Sequence, residues 1–174
     1  MQYQISCLSP KGYASDFADA LQELLPPDTG LVRLDQDPSA DAEIHLVGFE
    51  FGSTNLDAIP YEVIDFLEEL NGKVIFLFAA VPFYVDDQIN RQIHNRLIQY
   101  LPRDCDYRGL YLFPSQPPKN LLKQLSLLCE EEPQNTRSRT WLSRCENAKG
   151  RPSNRDFQRG CKFASHVLEL ERES

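Results

Sequence analysis

The sequence predicts an α/β protein: a doubly wound, parallel, five-stranded sheet followed by a C-terminal helical extension. Three observations lead there. Short, near-continuous apolar runs alternate with amphipathic stretches of helical period, the pattern of strands buried on both faces by helices. The 174 residues and 20.0 kDa suit one domain. Hydrophobic residues at 41% and charged residues at 25% are ordinary for a folded chain, and 8 Gly with 12 Pro are too few for a disordered one.

The elements follow in order. Tyr3 to Leu8 reads as a first strand, stopped by Ser9-Pro10. After the turn SPKGY, Ser15 is the expected N-cap of a helix from Asp16 to Leu25, with Phe17, Leu21, Leu24 and Leu25 on one face. Leu31 to Leu34 is a short second strand, and Ala42 to Phe51 a third. Only the loop DQDPSAD joins these two, so either that crossover is irregular or the second strand is not one. A helix over Tyr61 to Leu70 precedes the most hydrophobic run, VIFLFAAV (Val74 to Val81), the central-strand candidate. Asp86 is placed to cap a helix reaching Tyr100; Tyr107 to Phe113 is the fifth strand, and Lys119 to Cys129 the next helix. Beyond residue 132, helices are expected around Thr140 to Ala148 and from Asp156 to Leu170, the latter opened by a Ser153/Asp156 capping box. The domain reading is therefore 1–132 for the sheet domain and 133–174 for an extension packed on it.

Charge is unevenly spread. Residues 1–72 hold 14 acids against Lys11 and Arg33, a net of −12, while residues 73–174 carry a net of +4. Eight bases and two acids lie between Arg137 and Lys162. That stretch reads as a solvated helix face lying against, or balancing, the acidic half, and no nucleic-acid partner is expected. No apolar run approaches the roughly 20 residues of a membrane span, and MQYQISCLSP lacks a secretory signal's basic start and long apolar core. A cytoplasmic protein with no membrane partner is the expectation. Cys7, Cys105, Cys129, Cys145 and Cys161 are odd in number and form no CxxC, and His45, His94 and His166 lie far apart, so no disulfide framework and no metal site is indicated.

Ligands of such sheets bind at the carboxyl ends of the strands, beside the switch point. Three loops meet there: Ser9 to Ser15, Phe49 to Asn55 and Ala79 to Tyr84. The first leads into a helix N-terminus, which suits a phosphate. Ser9, Lys11, Gly12, Tyr13 and Ser15 are its candidate contacts, although a Ser/Gly turn is also common punctuation and Lys11 also reads as a solvated loop lysine. Phe49, Phe51, Gly52, Ala80, Phe83 and Tyr84 are the candidates from the other two loops. Their aromatics either sandwich a flat ring or belong to the core or an interface. Cys7 reads as a small buried hydrophobe and Trp141 as a packing anchor. No Ser/His/Asp or Cys/His constellation can be argued from positions alone, so a hydrolase is not expected.

VGFEF followed by IDFLEELNGKVIFLF, GLYLFPSQ in the place of a "GTF.CQG" phrase, and a tail similar to "ENF..A..HP...D...A..FA..V" carry a family resemblance. The chain resembles flavodoxins, in particular a branch of short flavodoxin-like proteins of anaerobic bacteria, some encoded beside a flavin-dependent bilirubin reductase. The resemblance implies a flavodoxin-like sheet in the order 2-1-3-4-5, FMN as cofactor, and electron transfer to a partner oxidoreductase; the acidic half suits a basic docking surface on that partner. Flavodoxins hold the FMN phosphate with S/T-x-T-G-x-T. Here Lys11 and Ala14 stand at the two threonine positions, Val81 and Pro82 lie where the branch has glycines, and Pro114-Ser115-Gln116 stands where Cys-Gln-Gly is expected. Each lost hydroxyl contact to a charged phosphate costs about 1.5–3 kcal/mol if unreplaced. These departures support an alternative: a non-catalytic flavodoxin-fold protein that has lost FMN and acts as a binding or assembly partner.

Overall fold

The structure, a computed structural model of the chain, describes residues 1–8, 12–36, 38–51 and 59–170. Five strands, β1 (Tyr3–Cys7), β2 (Gly30–Arg33), β3 (Ile44–Glu50), β4 (Val74–Val81) and β5 (Asp106–Pro114), form one sheet in the order 2-1-3-4-5. Every neighbouring pair is parallel, with Ile5 opposite Leu46 and Leu46 opposite Phe76. The helices are α1 (Tyr13–Leu24), α2 (Tyr61–Glu68), α3 (Asp87–Leu97), α4 (Lys119–Glu131), α5 (Thr136–Glu146) and α6 (Asn154–Val167). None of the described helices is long and apolar enough to cross a membrane.

Strand alternation divides the core in two. Along β4, Ile75, Leu77, Ala79 and Val81 face one apolar layer, while Phe76, Phe78 and Ala80 face the other. The first layer is completed by α2, α3, α4 and α5 through Val63, Phe66, Ile89, Ile93, Leu125 and Cys145. The second is completed by α1 and α6, where Phe17 meets Phe78, Phe113 and Phe157 with ring centroids 5.3–5.6 Å apart. The predicted packing face of the last helix is in place: Phe157, Cys161, Ala164, Val167 and Leu168 all join this layer.

Several expectations are corrected. The first helix begins at Tyr13, with Gly12 rather than Ser15 as N-cap. Its buried stripe is Ala14, Phe17, Ala18 and Leu21, whereas Leu24 turns outward at 42% exposure. The third helix proper ends at Leu97 and continues to Tyr100 as a 3₁₀ turn. In the tail, α5 starts four residues before Thr140, capped by Asn135, whose side chain accepts from the Ser138 N–H at 3.2 Å.

The second strand is real and its crossover is irregular, holding a 3₁₀ turn at Leu34–Gln36. The reason lies in β1, whose opposite face is polar. Gln4 and Ser6 are buried there, and the Gln4 amide donates to the Ser6 hydroxyl and to the Ser39 carbonyl, both at 2.9 Å. A loop that offers backbone carbonyls satisfies this face better than an apolar helix would. Nor do the described ion pairs of the basic stretch reach the acidic half. Arg144 pairs with Asp86 and Arg151 with Asp156, both acids lying in residues 73–174.

Candidate functional site at the carboxyl ends of the strands

α1 emerges from the end of β1 through Gly12, whose φ of 132° belongs to a region that residues with a Cβ rarely adopt. This N-cap has no side chain to offer the first free N–H groups of the helix. A carboxylate from another element takes that place. The Tyr13 N–H donates to Glu50 Oε1 at 2.8 Å. The pleat explains why Glu50 is available: Ile44 and Leu46 on β3 face the α1 layer, and Glu50 lies on the same side at the same period of two. Gly12 supplies the room, since a Cβ there would stand 2.6 Å from Glu50 Oε2.

Glu50 is the contact that the sequence reading missed. The signal was present in IHLVGFE, where strand alternation puts residue 50 on the face of residues 44 and 46. Of the expected phosphate contacts, Tyr13 contributes its N–H to Glu50, and Ser15 sits half-buried in the first turn. Ser9, Lys11 and Gly52 lie outside the described residues.

The aromatic candidates are spread between core and surface. Phe49 and Phe83 are fully buried, Phe51 is 4% exposed, and Ala80 belongs to the α1-side layer. Phe49 and Phe51 pack on each other at 5.2 Å. Tyr84, at 46%, reaches solvent.

The loop that carries Phe83 and Tyr84 is closed over by α5. Phe83 packs edge-on to Trp141 with centroids 5.0 Å apart, and the Tyr84 N–H donates to the Arg144 carbonyl at 2.9 Å. Arg144 also pairs with Asp86 at 2.8 Å and lies 5.9 Å from the Trp141 ring centroid. Asp86 in turn caps α3, accepting from the Ile89 N–H at 2.8 Å. That bond chiefly, opposed by burial and assisted by Arg144, holds the Asp86 carboxyl below its ordinary value. Beside this knot lies a cleft of about 620 Å³ lined by Tyr84, Asp86, Arg139, Ser143 and Arg144 among others.

Among the described residues, two features depart from the FMN site that the resemblance implies. An FMN phosphate needs the α1 N–H groups and no competing anion, yet a carboxylate already holds the Tyr13 N–H. Two unit charges of like sign about 4 Å apart near a protein surface repel by about 4 kcal/mol. For the ring, Phe49, Phe51 and Phe83 pack into the interior rather than standing as open flat walls.

The chain matches the family model for the flavodoxin domain over residues 8–165. No curated protein sequence matches it. Among solved structures it is similar to a short-chain flavodoxin associated with a non-canonical PDU bacterial microcompartment, at 14% identity, 97% coverage of both chains and a TM-score of 0.57. The two-electron reduced flavodoxin of Megasphaera elsdenii is 17% identical, with 68% of this chain and 89% of that chain covered at a TM-score of 0.46. The five-stranded order 2-1-3-4-5 and a family match spanning almost the whole chain agree: this chain belongs to the flavodoxin-domain family.

Proposed function

We propose that this chain is a flavodoxin-fold accessory that acts through protein contacts, as a binding or assembly partner, without holding FMN in the family's manner. The observation that carries the reading is the closed third loop. Where a doubly wound sheet would open its crevice, Phe83 is buried against Trp141 and the backbone of Tyr84 is bonded to α5. A partner with a basic surface is the natural counterpart of residues 1–72, whose net charge is −12.

Family membership over residues 8–165 favours a second reading, an FMN-binding electron carrier that serves a partner oxidoreductase. In that reading FMN supplies the redox chemistry. A visible-spectrum and fluorescence titration of the purified protein with FMN separates the two. The accessory reading expects no saturable binding at micromolar FMN. Saturable binding with a shifted flavin spectrum overturns it in favour of the carrier.

A further inference from the structure

We propose that Glu50 is a built-in counter-anion for the N-terminus of α1, and that its charge is what keeps phosphate, free or esterified, from binding there. The inference deepens the accessory reading, on which it rests, by naming the residue that refuses the family's anion.

Three features of the chain converge on it. The pleat of β3 aims residue 50 at α1 rather than at the opposite layer. The bond is direct, 2.8 Å from the Tyr13 nitrogen to Glu50 Oε1, and charge-assisted. Gly12 leaves the volume that the carboxylate occupies, since a Cβ there would approach Oε2 to 2.6 Å and Oε1 to 2.9 Å. An incoming phosphate would therefore meet a filled position and a like charge together, at the helix end whose dipole already favours the resident anion. Asp16, in the first turn of α1, adds further negative charge nearby.

The test follows the Tyr13 amide in ¹H–¹⁵N spectra of the full chain during titration with inorganic phosphate, against chloride at matched ionic strength. In the wild-type protein the Tyr13 resonance should not respond. Glu50→Gln keeps a carbonyl acceptor and the side-chain shape but removes the charge, so its Tyr13 amide should shift saturably, with at least tenfold tighter phosphate binding. Glu50→Ala should respond in the same direction, which guards against a bond retained by glutamine. Dispersed resonances from the rest of α1 report that each variant is folded. Equal phosphate responses in wild type and variants, or no response in either variant, overturn the role given to Glu50. Saturable FMN uptake by the wild type strikes instead at the accessory reading, so the two failures are told apart.

Discussion

Asp156 shows how one buried carboxylate fastens the tail. Its side chain is 5% exposed and accepts from Arg151 Nε at 2.7 Å, the Ser153 N–H at 2.8 Å and the Ser153 hydroxyl at 3.1 Å, with Arg151 Nη2 on its second oxygen. Burial alone would raise its pKa, but the bonds from Arg151 and Ser153 outweigh burial and hold it below the ordinary 3.8. A carboxyl with a lowered pKa in the fold stabilises fully above that ordinary value, and its contribution is lost as pH falls towards the folded value. Asp156→Asn should cost about 2–3 kcal/mol in denaturant unfolding at neutral pH, less than a fully buried pair because Arg151 keeps 33% of its side chain in water. The loss should shrink as wild type and variant are compared below pH 3.8; an unchanged midpoint at neutral pH would show the pair to be dispensable. The capping box was legible because Ser153 and Asp156 lie three residues apart. The start of α1 was not. Ser15 has the composition of a cap, but the Tyr13 N–H finds its acceptor on a strand 37 residues away, and no local pattern announces that.

At the scale of elements, apolar runs announced the strands, β2 only as one of two alternatives, and β4 came out with the predicted bounds. The ends of the helices were harder, because their first turns answer to caps rather than to the core. The opening of α5 is the case in point: Thr136 to Arg139 contributes buried Ser138 but no apolar stripe, so periodicity alone begins the helix too late. What the pattern could not give is how closely α6 approaches its neighbours. Gly160 lies where a Cβ would stand 2.5 Å from Tyr111 and 2.6 Å from Phe17. Alanine at this position gains about 1 kcal/mol of helix propensity. Overpacking against two aromatic rings costs about 1–3 kcal/mol, so the loss should win. Gly160→Ala is therefore expected to lower stability slightly in thermal unfolding, and Gly160→Leu much more. A stabilised alanine variant would mean that α6 stands further from the sheet than described.

For the molecule as a whole, the tail is part of the core. Phe157, Ala164 and Leu168 cover the layer that holds Phe17, Phe78 and Phe113, and the Tyr111 hydroxyl donates to the Asp156 carbonyl at 2.6 Å. On the opposite side, Cys145 of α5 is fully buried with β4 and α3. A fragment ending at residue 132 should therefore lose its cooperative transition and bind a hydrophobic dye strongly. A sharp transition in that fragment would show that the first four helices suffice. Sequence supplied the sheet's content and, through the family resemblance, its strand order. The assignment of α5 and α6 to opposite faces was not readable, because both helices are amphipathic and either face of a sheet accepts such a stripe.

The contact between Phe83 and Trp141 has a practical consequence. The chain has a single tryptophan, and it sits at the seam between the third loop and α5 with a guanidinium near its ring. Indole emission depends on its immediate surroundings, so this protein carries its own optical gauge. A partner or ligand that pries α5 from the loop announces itself in the intrinsic fluorescence, while one that docks elsewhere leaves the signal still.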